Sequence, residues 1–169
     1  MYLLVGCTVA PAAEEGVVGG GFSPESVTES FFEDLQQALR DPNLEQEEAR
    51  SFWAERLAGY FAPAERDTQR IALRRALASF ASGLRQLADD ETAIFELRGL
   101  QPTEKVADDG ERALVRLPSA SISLTLVRTT ERGSFVFYEQ TIGLSQVIGR
   151  SDGTVPLVKI DGRWYLTEG

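Results

Sequence analysis

The segment VKIDGRWYLTE, residues 158–168, has the pattern of a β-hairpin. Two runs of β-favouring residues flank the Asp-Gly dipeptide at 161–162, which is typical of a tight two-residue hairpin turn. Side chains alternate between the two faces of a strand, so Trp164 is predicted to face one side, and Arg163 and Tyr165 the other. We predict that Trp164 is a core residue and that the opposite face meets water.

Further strands are predicted between residue 93 and this hairpin. Alternating and β-branched residues indicate them, and turns rich in Gly or Asp separate them. The predicted strands are 93–100, 112–130, 134–148 and 154–160, with turns at 107–111 and 131–133. Pro118 lies inside the longest of these strands, and we expect a bend or bulge there because proline has no N–H to donate to a sheet.

The residues before 93 have helical patterns instead. Ser23 is a suitable N-cap, and Pro24 suits the first position of a helix. Apolar residues recur every three or four positions, which predicts helices at about 24–40, 45–60 and 64–89. Helices followed by antiparallel strands indicate an α+β fold. We expect three N-terminal helices packed on a curved antiparallel sheet of about four to five strands.

This order of elements and the closing V-K-x-D-G-x-W motif, here residues 158–164, resemble the nuclear transport factor two-like superfamily, which has a cystatin-like cone fold. The resemblance covers roughly residues 23–168. It implies a curved sheet wrapped on helices, with a pocket between them. Some members, such as ketosteroid isomerase, are isomerases, dehydratases or cyclases, and others only bind ligands or proteins. Catalytic members typically use an Asp–His or a Tyr–Asp pair in the pocket, and no catalytic residue is transferred to this chain.

The composition excludes several kinds of chemistry. The chain has 169 residues, no histidine and one cysteine, which excludes Ser-His and Cys-His nucleophiles, histidine zinc sites and an internal disulfide. The formal net charge of −9 argues against binding of nucleic acid, because nucleic acids are held by Lys and Arg that neutralise phosphates. The sequence has no calcium-loop motif. We expect neither a metal nor a cofactor.

The N-terminal segment LVGC, residues 4–7, matches the box that ends bacterial lipoprotein signals. Small, Gly- and Ala-rich residues follow at 8–21, which is typical of a flexible tether. We therefore predict lipidation of Cys7, with a lipobox remnant and tether at 1–22 and the domain at 23–169. A complete signal needs a charged region and about 7–15 apolar residues, so either the natural start lies upstream or the signal is shortened here. The alternative is a chance match in a disordered terminus.

Four side chains are candidates for contact with a ligand. Tyr138 and Gln140 share a predicted strand face with Val136, and their spacing lets both reach one small ligand. They are predicted to border a modest, partly polar pocket. Trp53 and Tyr60 are further candidates, although a small domain also needs such aromatic residues to fill its core. With no histidine to transfer protons near neutral pH, binding is favoured over catalysis.

The sequence therefore favours an exported envelope protein, lipid-anchored to the outer face of the membrane, whose non-catalytic domain binds a ligand or a protein. The expected partners are the membrane, through a lipid on Cys7, a small molecule or an envelope protein, and a second copy of the chain through the sheet. Two alternatives stay open. One is a small isomerase- or dehydratase-type enzyme that uses Tyr and a carboxylate, and the other is a structural or oligomerising module.

Overall fold

The computed structural model describes residues 19–100, 103–143 and 153–169. Three helices come first and seven strands follow. The helices are α1 Pro24–Arg40, α2 Glu47–Ala58 and α3 Arg66–Leu84. The strands are β1 Glu91–Arg98, β2 Glu104–Asp108, β3 Arg112–Arg116, β4 Ser121–Thr130, β5 Gly133–Gly143, β6 Thr154–Ile160 and β7 Arg163–Leu166. None of these helices is long and apolar enough to cross a membrane.

The helices begin and end close to where the sequence predicts. At the start of α1, the backbone N–H of Ser26 donates to Ser23 Oγ at 3.1 Å, which confirms the predicted cap. Helix α3 is shorter than the predicted 64–89 because the α-helical pattern of backbone hydrogen bonds, i→i−4, does not continue far past Leu84. The N–H of Gln86 donates to the carbonyl of Gly83, an i→i−3 bond of the kind that tightens and closes the end of a helix.

The strands form two antiparallel sheets, with orders β1-β4-β5 and β2-β3-β6-β7. The α+β class with three N-terminal helices is confirmed, but the strands differ from the single sheet of four to five that the sequence predicts. The predicted long strand at 112–130 ends as β3 at Arg116 and resumes as β4 at Ser121. Pro118 lies in the interruption. The segment that the sequence predicts as one bent strand therefore forms one strand in each sheet. Strand β2 is not predicted at all.

The core lies between the helices and the sheets. Its centre is aromatic: the ring of Phe31 makes edge-on contacts with Phe32, Tyr60 and Phe61 at centroid distances of 5.2 to 5.9 Å. Trp164 is 4% exposed and belongs to the same cluster, which confirms its predicted place in the core. Other members of the cluster are Val27, Leu44, Leu57, Leu77, Val115 and Leu157.

Residues 20 and 21, which the sequence assigns to the tether, already pack on the domain. Gly21 forms an antiparallel bridge with Trp164, through N–O distances of 3.0 and 2.8 Å. Gly20 has a φ of +78°, and a Cβ there would lie 2.6 Å from the ring of Tyr165. The predicted tether therefore ends earlier than residue 21. The same contact explains why Tyr165, which was expected to meet water, is buried.

Strand β5 has an irregularity that changes which side chains share a face. Tyr138 pairs with Leu126 and Val136 pairs with Val127, so Phe137 is an extra residue, a β-bulge. Leu126 and Val127 are consecutive and face opposite sides of the sheet, and their partners do the same. The prediction that Val136 and Tyr138 share a face is therefore wrong.

Candidate functional site

The predicted site residues do not come together in the structure. Trp53 and Tyr60 lie in the helical half of the molecule, and Tyr138 and Gln140 lie on β5. Cys7 and the rest of the predicted lipobox are outside the described residues. The two groups lie in different parts of the described chain, and neither lines the groove of about 660 Å³ described below.

Trp53 is a core residue that holds two helices together. It is 9% exposed, and its indole Nε1 donates to Asp41 Oδ2 at 2.6 Å. Asp41 lies directly after α1 and also accepts from the N–H of Asn43 at 2.8 Å. The bond from Trp53 is the main cause of the lowered pKa of Asp41. These contacts favour a core role for Trp53 over contact with a ligand.

Tyr60 belongs to a polar cluster with Asp34 and Arg56. The guanidinium of Arg56 donates twice to the carboxylate of Asp34, at 2.7 and 2.8 Å. The hydroxyl of Tyr60 donates to Asp34 Oδ2 at 2.6 Å. Burial is the main cause of the raised pKa of Tyr60, and the bond to Asp34 adds to it. Because the Asp34 side chain is only 5% exposed, this cluster satisfies a carboxylate inside the domain.

A tyrosine next to a carboxylate is also the pair that the enzyme alternative requires. In this chain Asp34 already accepts three hydrogen bonds, and a raised pKa keeps Tyr60 protonated near neutral pH. Both oxygens of this carboxylate are therefore occupied within the cluster. Asp34 and Tyr60 do not line the groove described below. The geometry therefore favours a structural role for the pair.

Tyr138 and Gln140 are exposed on β5. The Tyr138 hydroxyl donates to Gln140 Oε1 at 2.6 Å, so the two side chains do share a face as predicted. Tyr138 is 43% exposed, and Gln140 is exposed as well. The predicted placement in a pocket between helices and sheet is therefore wrong. The reason is that the described helices cover β1, where Phe80 of α3 contacts Phe95 at 4.5 Å between centroids, while residues 133–141 of β5 are exposed.

A large groove lies at one end of the four-stranded sheet, and we call it the sheet groove. Its volume is about 660 Å³. The segment between α2 and α3 and the tip of the β2–β3 hairpin both contribute to its walls. Strand β6 and the C-terminal residues complete it. The lining residues are Ala62, Glu65, Ala107, Asp108, Asp109, Arg112, Ala113, Leu114, Pro156, Leu157, Val158, Thr167 and Gly169.

A second cavity of about 450 Å³ adjoins the sheet groove. The two share Pro156 and Thr167, and the second extends to the aromatic rings of Phe31, Phe32 and Phe61. Most of the residues that line either cavity are apolar. Cavities of roughly 300–1,000 Å³ with mostly apolar walls are typical of sites for small molecules.

The polar groups of the sheet groove are held by local hydrogen bonds. Asp108 accepts from Lys105 Nζ at 2.9 Å, and this bond is the main cause of its lowered pKa. Asp109 accepts from the N–H of Arg112 at 2.6 Å, and its pKa is lowered mainly by that bond. Glu65 accepts from the Thr167 hydroxyl at 2.5 Å. The lowered pKa values of Asp108 and Asp109 keep these two carboxylates charged at neutral pH, so the hairpin tip gives the groove an acidic rim.

Sequence reasoning missed the sheet groove entirely. Its walls come from segments that are distant in sequence, and most of its lining residues are Ala, Leu, Val and Pro, which look like ordinary strand and turn residues. The acidic pair at 108–109 is visible in the sequence, but it has the composition of a turn. Among the described residues, no group of three or more Cys, Asp or Glu side chains is placed to hold a metal ion.

Comparisons with known proteins leave the family open. No family model matches the chain, and no curated protein matches it. One similar solved structure is that of Rv3472, a protein of unknown function from Mycobacterium tuberculosis, with 17% sequence identity. The match covers 87% of this chain and 73% of that chain, at a TM-score of 0.29. A score this low carries no argument about fold or function, so the resemblance to the nuclear transport factor two-like superfamily stays a prediction.

Proposed function

We propose that this chain is a lipid-anchored protein of the cell envelope whose α+β domain binds an apolar ligand in the sheet groove without catalysing a reaction on it. The observation that carries the binding role is the groove itself, about 660 Å³ in volume and open along apolar residues of β3 and β6. Binding rather than catalysis is favoured because the carboxylates of the groove are engaged in local hydrogen bonds. The proposed anchor rests on the LVGC box of the sequence.

The charge of the groove narrows the class of ligand. Its lining includes three carboxylates, those of Glu65, Asp108 and Asp109, and one guanidinium, that of Arg112. The whole chain has a formal net charge of −9. Like charges repel, most strongly where low-dielectric walls reduce screening. We therefore expect the ligand to be uncharged or cationic, with an apolar body that fills the groove.

The first prediction tests the groove with two dyes that differ in charge, one uncharged and one anionic. An uncharged apolar dye is expected to bind the full-length chain more tightly than an anionic naphthalene sulfonate dye. The variant Ala107→Trp places an indole in the groove and is expected to weaken binding of the uncharged dye at least tenfold, about 1.4 kcal/mol. Fluorescence titration measures both affinities.

The matched control for this variant is Val106→Trp. Val106 precedes Ala107 on β2 and does not line the groove, and both residues are exposed. Binding by the control is expected to stay within about twofold of wild type, a change well below 1 kcal/mol. Equal losses in both variants, or no loss in either, would show that the dye binds elsewhere and would contradict the proposed site.

The second prediction concerns the anchor. With the genomic codons upstream of Met1 restored, the protein expressed in a bacterial host is expected to incorporate an acyl probe and to fractionate with membranes. One acyl chain binds membranes only marginally, so stable fractionation requires two or more. The variant Cys7→Ala is expected to lose both the label and the membrane association. Label that persists in Cys7→Ala would contradict lipidation at this residue.

A further inference from the structure

Three of the four sheet edges in the described chain are covered or charged. On the free side of β1, the N–H of Leu97 donates to Gln36 Oε1 at 3.2 Å. Next to it, Arg40 Nε donates to the carbonyl of Phe95 at 3.1 Å. Side chains of α1 therefore form the hydrogen bonds with the backbone of β1 that a neighbouring strand would otherwise form. Coverage of this kind prevents pairing with another chain.

The edges of the four-stranded sheet are protected in two other ways. Strand β7 is bridged by Gly21, and farther along the strand Leu166 exchanges backbone hydrogen bonds of 2.8 and 2.9 Å with Tyr60 and Ala62. Strand β2 is only five residues long, and its sequence EKVAD carries three charges. Short, charged edges are poor templates for a new strand.

Within the described residues, the edge formed by β5 is neither covered by a helix side chain, nor bridged by another backbone segment, nor short. Strand β5 is eleven residues long and pairs with β4 alone among the described strands. Nine consecutive residues, 133–141, are exposed. Four of them are large and apolar, with exposed fractions between 41% and 54%: Phe135, Val136, Phe137 and Tyr138. A long apolar edge of this kind is a template for pairing.

We propose that β5 pairs with β5 of a second copy of this chain, in antiparallel orientation, to join the two three-stranded sheets. The sequence of the strand favours this occupant. The stretch GSFVFY, residues 133–138, has no charge, and it lies between Arg132 and Glu139. When two such stretches align antiparallel with the bulged Phe137 of each copy left unpaired, Phe135 lies opposite Phe135 and Arg132 of each copy lies opposite Glu139 of the other. The edge is therefore complementary to itself.

The charges also discriminate between the two orientations. A parallel alignment would place Arg132 beside Arg132 and Glu139 beside Glu139, and like charges directly opposite each other destabilise a strand pair. Antiparallel pairing also brings the aromatic side chains of both copies to one face. Phe135 and Tyr138 share a face because their partners on β4, Arg128 and Leu126, are two residues apart.

The size of the edge sets the strength of the dimer. A standard interface uses roughly 20–30 residues from each partner, whereas the exposed edge supplies nine consecutive residues. The bulge at Phe137 also increases the local twist and shortens the regular pairing. The dimer is therefore weak and forms in a concentration-dependent manner.

Sedimentation velocity of the full chain over a range of concentrations tests this interface. A reducing agent is kept present so that disulfides through Cys7 do not form. Wild type is expected to shift from monomer toward dimer as the concentration rises. Charge reversal at one end, by Arg132→Glu or Glu139→Arg, is expected to weaken the dimer roughly tenfold, because exposed pairs contribute up to about 1 kcal/mol each and two are replaced by repulsion. The double reversal is expected to restore it.

A second variant tests the middle of the strand. Val136→Lys adds a charge to each copy near the two-fold axis and is expected to abolish the dimer, while Val106→Lys, on the charged edge strand β2, leaves it unchanged. Circular dichroism checks that both variants fold. A monomer at every concentration would overturn the proposal and leave this edge to a partner of another sequence. A dimer that survives Val136→Lys, or a double reversal that fails to restore pairing, would overturn it equally.

Discussion

Replacement of Trp164 by alanine is expected to lower the free energy of unfolding by about 3–5 kcal/mol, the range for large aromatic truncations in cores. Trp164 is 4% exposed, and its backbone bridges Gly21 on the free side of β7. The ammonium of Lys159 lies 5.6 Å from the centre of its ring. Loss of the indole leaves a cavity. The neighbouring backbone at Gly21 is held by hydrogen bonds and cannot move in to fill it, so most of the packing energy is lost.

Phe22→Ala is the matched control for this prediction. Phe22 is also aromatic and adjoins the same N-terminal bridge, but it is 88% exposed. Its truncation is expected to change stability by less than about 0.5 kcal/mol. Urea unfolding followed by circular dichroism and by the fluorescence of Trp53 measures both variants. A loss of less than about 1 kcal/mol for Trp164→Ala, with an unchanged urea dependence, would contradict the core assignment.

Local signals in the sequence were sufficient to predict the helices. The Ser23 cap, the proline that follows it and the 3.6-residue periodicity all depend on contacts within one turn. The Asp-Gly hairpin at 161–162 is local in the same sense, and Asp161 adopts a positive φ of 49° there, as such turns require. These elements were therefore predicted to within a few residues.

The sheets depend on contacts that the sequence does not display. Whether residues 112–130 form one strand or two depends on their pairing partners. Strand β3 pairs with β6, and β4 pairs with β5. Both partners come later in the sequence, so the residues 112–130 alone do not reveal them. The bulge at Phe137 has no Gly or Pro to reveal it, yet it reverses the faces of all residues before it. Periodicity alone therefore assigned Val136 to the wrong side.

The candidate site was only partly predictable for a related reason. The sequence singled out Trp53 and Tyr60 as aromatic residues, but not the carboxylates that receive their hydrogen bonds. Asp41 is 12 residues from Trp53, and Asp34 is 26 residues from Tyr60. An aromatic side chain that donates to a carboxylate of its own domain stabilises the core, whereas one that faces a cavity is available to a ligand. The residue type is the same in both cases, so only the packing distinguishes them.

Removal of the Asp34 carboxylate has the second largest expected effect. Asp34→Ala leaves the Arg56 guanidinium and the Tyr60 hydroxyl without their shared acceptor. Breaking a fully buried pair in this way costs about 3–5 kcal/mol. Because the Arg56 side chain is 42% exposed and water can hydrate it, we expect a smaller loss, about 2–3 kcal/mol. The neighbouring exposed carboxylate variant Glu33→Ala is the control, with a change below about 0.5 kcal/mol.

The same cluster predicts how stability changes at alkaline pH. Burial and the bond to Asp34 raise the pKa of Tyr60 in the folded chain, whereas an unfolded tyrosine ionises near pH 10. Above about pH 10 the unfolded chain releases this proton first, so the stabilisation is complete below that pH and declines as the pH rises. Tyr60→Phe is expected to cost about 1 kcal/mol at neutral pH, the value of one hydrogen bond. It is also expected to unfold with a weaker dependence on pH above 10. Parallel pH dependences for wild type and Tyr60→Phe, measured by urea unfolding, would show that this hydroxyl is not held by Asp34.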